Sequence, residues 1–224
     1  MPDSTETNSL PWGAVMAPAA ITFAVTLLRL AGELLHWSPA LFSSAPGGGG
    51  ALVGISWLVP IFGIWFGVRL ARAGQGPARP LAGAGLLVLA LVLMPLAGLV
   101  AVKVLGVNPQ GRRMLLLFCA AAVVAVPIAM QAWPALGRTL FAYALAARIP
   151  VAIVMLVAMF GNWGTHYDVV PGFSGLTPFV KWLWFGALPQ LTVWIAYTTV
   201  IGGLFGLVAG AIAARGRAAA PQAA

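Results

Sequence analysis

Charge is what this chain has least of, and acidic charge above all. Only 7% of its 224 residues are charged, against about a quarter in a soluble domain. Twelve Lys and Arg face four Asp and Glu, and two of those four, Asp3 and Glu6, fall within the first eight residues. Glu33 and Asp168 are the only acids left for the body of the chain. With 61% apolar residues, the composition excludes a soluble globular fold and makes the bilayer the solvent. Cysteine is equally scarce: Cys119 stands alone inside an apolar run, so no intramolecular disulfide framework exists. The first residues, Met1 to Asn8, lack a basic n-region, so no cleavable signal peptide is expected and the first span is expected to be retained.

Several chemistries are missing as well. There is no Gly-x-Ser-x-Gly, no His-Glu-x-x-His and no Walker-type loop, which removes support for nucleophile-elbow hydrolases, zincins and P-loop enzymes. The absence of Cys-x-x-Cys-His argues against covalently attached haem. A net charge of +8 is dispersed over short loops and span ends, so it is no footprint for nucleic acid.

What is present is a series of six apolar runs, at about 11–36, 51–71, 81–105, 114–133, 139–160 and 188–213. Each approaches the roughly 20 residues a helix needs to cross the hydrocarbon. The expected fold is therefore all-α: a polytopic integral membrane bundle of six transmembrane helices, residues 11–213, between a polar tail (1–10) and an Ala-rich tail (214–224). The stretch Thr177 to Ala187, with Phe179, Lys181, Trp182, Trp184 and Phe185, suits a short interfacial helix, or equally the start of a tilted final span. Trp12, Trp37, Trp133, Trp163, Trp182 and Trp184 fall at run ends, where indole prefers to sit, and Trp57, Trp65 and Trp194 fall within runs. Every run carries a proline: Pro18, Pro60, Pro95, Pro127, Pro150 and Pro189. Small residues at i, i+4 spacing, Gly63/Gly67 and Gly202/Gly206/Gly210, predict close helix packing within one bundle rather than between copies.

If the runs alternate, one membrane side collects Arg69, Arg72, Arg79, Arg138, Arg215 and Arg217, and the other Lys103, Arg112, Arg113 and Lys181. Six against four places both termini in the cytoplasm. Ten Arg to two Lys, with abundant Ala and Gly, point to a GC-rich bacterial genome and so to a bacterial inner membrane.

The candidate site starts from Arg29, Glu33 and His36 near the end of the first run. Helical spacing puts them on one face, continued by Thr22 and Thr26. Under alternation, the segment Gly161 to Asp168, with His166 and Asp168, follows run five on the same membrane side. Arg148 lies in the middle of run five, where an isolated guanidinium is expensive, and its expected partner is Glu33 or a carbonyl freed by Pro150. Two arginines for one carboxylate leave positive charge that suits an anionic small molecule or a lipid headgroup, or else form a structural ion pair that fixes helix register while the second arginine snorkels. Gln190, Trp194, Tyr197 and Thr198 share a face of the last run and suit a polar cleft.

The favoured function is a non-enzymatic carrier-like or accessory membrane protein without a cofactor, built around an intramembrane cluster of Arg29, Glu33, His36, Arg148, His166 and Asp168. The alternative is a membrane-embedded metal-dependent hydrolase, with zinc held by Glu33, His36, His166 and Asp168 and Cys119 as a possible fifth ligand. A scaffold without ligand is the third possibility.

Overall fold

The computed structural model describes residues 12–170 and 175–219. The polar N-terminal tail, residues 171–174 of the long loop and the last residues of the Ala-rich tail lie outside the described residues. Within them the chain is helical and has no strand. The principal helices are α1 (Trp12–Leu34), α2 (Leu58–Arg72), α3 (Pro80–Lys103), α4 (Arg112–Ala132) and α5 (Pro134–Gly161). The final stretch runs through α6 (Pro178–Trp182), a π turn (Leu183–Ala187), α7 (Leu188–Leu191) and α8 (Val193–Ala219).

Five of these stretches are long and apolar enough to cross a membrane: Gly13–Leu34, Pro80–Lys103, Arg112–Ala132, Pro134–Gly161 and the 39-residue Pro178–Gly216. The fold is thus a multi-span helical bundle compatible with a membrane protein. The second apolar run departs from expectation. Its first third, residues 51–57, is loop, and the helix that follows has 15 residues, about 22 Å at 1.5 Å per residue. Trp57, placed inside a span by its sequence position, is instead the N-cap of α2 and 63% exposed. The aromatic stretch 177–187 leads into the last apolar helix through α6, the π turn and α7 without an intervening long loop. Trp182 Nε1 donates to the carbonyl of Ala152, nine residues inside α5, which draws this segment against the bundle.

Helix packing rests on small residues. A Cβ on Gly63 or Gly67 would overlap the backbone carbonyl of Gly202 or Gly206, and one on Gly206 would lie 2.6 Å from Gly63 O. Backbone meets backbone, so α2 and α8 run side by side in the same direction. Without water to drive apolar faces together, such close approach maximises dispersion between helices. Leu136 and Leu140 of α5 press on Gly206 and Gly202 in the opposite sense, so α5 is antiparallel to α8. Trp133, at the junction of α4 and α5, donates from Nε1 to Gln75 O just beyond α2. The far end of α2 therefore lies level with the start of α5.

This register fixes where α2 begins. Gly202 lies against Leu140 and Arg148 against Trp194, so Leu58, five residues before Gly63, starts near the level of the middle of α5. The missing turns of α2 leave a space in the other half of the bundle, and the loop 42–57 enters it. Non-helical backbone at such depth is tolerated where it lines a cavity or is buried in protein.

Candidate functional site

α1 is joined to α5 and the loop after it by a ladder of polar contacts. Thr22 Oγ1 donates to Pro18 O, so its remaining contact at 2.7 Å is accepted from the hydroxyl of Tyr143 on α5. One turn on, the carbonyl of Thr26 accepts from Tyr167 OH at 3.2 Å. Two turns further, Glu33, 4% exposed, collects three donors. Arg29 Nε reaches Oε1 at 2.8 Å, His166 Nδ1 reaches the same oxygen at 2.5 Å, and the backbone N–H of His166 reaches Oε2 at 2.8 Å. A carboxylate only accepts, so it fixes the imidazole proton on Nδ1.

The loop that carries His166 is shaped by Asp168. Its carboxylate accepts from the N–H groups of Gly164 and Thr165 and from Thr165 Oγ1, at 2.7–2.9 Å. Three short bonds within five residues make a closed turn and leave this carboxylate committed to its own loop. Burial is the largest influence on His166 and pushes its imidazole below the ordinary value; the Glu33 hydrogen bond opposes this and the Arg29 charge adds to it. Burial likewise raises the Tyr167 phenol, which stays protonated and able to donate.

Arg29 makes a second set of contacts. One terminal nitrogen donates to the carbonyls of Ser43 and Gly48, both at 3.0 Å, which ties the α1–α2 loop down over the site. Gly48 and Gly50 have positive φ, so the consecutive glycines serve this turn. A Cβ on Gly48 would stand 3.0 Å from His166 Cδ2. The two long loops therefore meet on one side of the bundle, as alternation predicts.

Behind this lid lies a cavity of about 210 Å³, lined by Thr26, Arg29, Ser56, Arg148, Gln190 and Trp194 among others. Arg148, 3% exposed, lies with its guanidinium 4.7 Å from the centre of the Trp194 ring. Among the described residues it has no carboxylate within ion-pair distance. The expected Glu33–Arg148 pair is not formed, because Arg29 and the His166 loop take the carboxylate first, and the carbonyls behind Pro150 do not take the guanidinium either. A cation–π contact stabilises the charge by about 2 kcal/mol when desolvated, but it satisfies none of the five N–H donors. Gln190, 8% exposed, also faces the cavity. Its Nε2 contacts Met155 Sδ at 3.6 Å, and its Oε1 is buried without a partner.

Two of the six candidate residues lie apart from this arrangement. His36 is exposed and stands beyond the end of α1 with φ 52°. Trp37 N–H bonds to Gly32 O and His36 N–H to Glu33 O, the paired closing bonds of a Schellman motif. The helical spacing that would set His36 beside Glu33 is thus broken at the cap. Asp168 faces its own turn. Cys119 is buried in α4 and does not line the cavity. Among the described residues no three His, Cys, Asp or Glu side chains converge to hold a metal. Of the six, Arg29, Glu33 and His166 meet in the structure, while Gln190 and Trp194, which the sequence offers only as one face of the last run, line the cavity beside Arg148. Sequence reading missed Ser56 and the glycine lid; the four consecutive glycines were their only signal.

Comparison with protein-family models, with curated proteins and with solved structures finds no match to this chain.

Proposed function

We propose that this chain is a non-enzymatic, carrier-like or accessory membrane protein whose embedded cavity binds an oxyanion, a carboxylate or a phosphate, at Arg148. The observation that carries this reading is a buried arginine, 3% exposed, that lines a cavity while Glu33 and Asp168, the two acids in the body of the chain, are engaged elsewhere. An uncompensated charge at that depth costs about 2.5–3.5 kcal/mol on insertion scales. Charge-assisted hydrogen bonds to an anion offset that cost, and Arg presents them as a planar fork.

The test is thermal unfolding of the purified chain in detergent with inorganic phosphate, at constant ionic strength set by chloride. Wild type is expected to melt higher as phosphate rises, because a ligand that binds only the native state stabilises it. Arg148→Gln is expected to lose that response. Without ligand it should melt no lower than wild type, because it removes a charge that costs folding energy. An unresponsive wild type, or a variant that responds as before, would remove Arg148 from the role.

A further inference from the structure

The cavity does not stand alone. On the other side of Ser56 and Trp194, which belong to the walls of both, lies a second space of about 380 Å³ between α3 and α8. Leu91 and Met94 of α3 and Val193, Tyr197 and Ile201 of α8 line it. Its walls are apolar and carry none of the chain's charged groups, and Leu91 is 43% exposed on the outer surface of the bundle, where the solvent is lipid. The volume is within the roughly 300–1,000 Å³ range of ligand sites.

The two spaces thus differ in chemistry and share an edge. One holds a buried guanidinium without a carboxylate and an amide with an unpartnered oxygen; the other offers an apolar trough opening among acyl chains. Trp194 marks the boundary, with Arg148 over its ring and its side chain bordering the groove. We infer that the ligand is an anionic amphiphile with one acyl chain, its carboxylate or phosphate head at Arg148 and its tail in the α3–α8 groove. Charge complementarity selects the head, and the mainly apolar, uncharged walls of the groove select the tail. This inference rests on the anion-binding reading above and adds the second half of the molecule to it.

The experiment uses the full chain in nanodiscs of phosphatidylcholine, a zwitterionic lipid, so that no anionic lipid competes. Binding of tritiated oleate is measured by scintillation proximity. Saturable binding is expected, with methyl oleate and acetate each competing at least tenfold less well than unlabelled oleate. The first competitor lacks the charge and the second lacks the tail. Arg148→Gln is expected to weaken oleate at least tenfold. Ile201→Phe, which fills the groove, is expected to do the same while the phosphate-induced rise in melting temperature persists; Leu91→Phe on the facing wall is the second groove variant should the first fail to fold. If acetate competes as well as oleate, or oleate fails to bind while phosphate still stabilises, the groove takes no tail and this inference falls alone. If neither oleate nor phosphate binds, both readings fall together.

Discussion

At the scale of single residues, Glu33 decides how the other ionisable groups behave. By accepting from Arg29 and twice from His166 it joins α1 to the loop after α5, and it is then unavailable to Arg148. The sequence made the shortage of acid legible, since twelve cations and two internal carboxylates are simple counts. It did not make legible which cation wins, because that depends on a backbone N–H at His166 that has no signature in residue type. His166 itself yields a pH prediction. Its imidazole is held below its ordinary value of 6.5, chiefly by burial. Between the lowered value and 6.5 the unfolded chain binds more protons than the folded one, so stability rises with pH across that window. The melting temperature in detergent is expected to hold level above about pH 6.5 and to fall as the pH drops through the window. His166→Gln should melt lower at neutral pH and lose this acid-side slope. An unchanged slope in that variant would assign it to another group.

At the scale of elements, two kinds of contact hold the bundle, and they differ in how far sequence reveals them. The glycine spacing in α2 and α8 was readable, because i, i+4 small residues lie on one helical face, and the structure uses them within the chain. Helix ends were less readable. Nothing in Glu33-x-x-His36 announces that the helix closes at His36 in a left-handed residue that is not glycine, and nothing in an apolar run from 51 to 71 announces that its first third is loop. Local apolarity identifies what lipid tolerates, not where the backbone stops coiling, and the cavity-lining loop is apolar for the same reason a helix would be. The glycine contact carries the element-scale prediction. At Gly67 the obstacle is the carbonyl of Gly206, which is backbone and unable to rotate aside. Gly67→Val is expected to destabilise the protein by about 1–3 kcal/mol, the usual range for overpacking. Gly13, with nothing within 4 Å of an added Cβ, serves as the control, and Gly13→Val should leave unfolding nearly unchanged. Equal effects at the two positions would mean that helix propensity rather than contact governs.

At the scale of the whole molecule, the cavity exists because one helix is short. α5 is about 42 Å long by its 28 residues, and Arg148 sits half-way along it, level with the region where α2 starts. Had α2 continued toward His166, its turns would fill the space that Arg148 and Gln190 now face. The short helix must still deliver the chain to the opposite side, because Gln75 beyond its end meets Trp133 at the α4–α5 junction while Gly48 before its start meets Arg29 and His166. The lid loop and the α2–α3 turn therefore lie on opposite faces, although α2 alone, at about 22 Å, is shorter than the roughly 30 Å hydrocarbon layer. Single cysteines introduced at Ser44 and at Ala78, in a Cys119→Ala background, test this in sealed vesicles. A membrane-impermeant maleimide is expected to label Ser44→Cys from the same side as a cysteine at Gly175, and Ala78→Cys only from the side that labels Arg138→Cys. Labelling of positions 44 and 78 from one side would make α2 re-entrant. The loop and the helix would then share an entrance, and a cavity floored by α2 would no longer separate the two faces of the bundle.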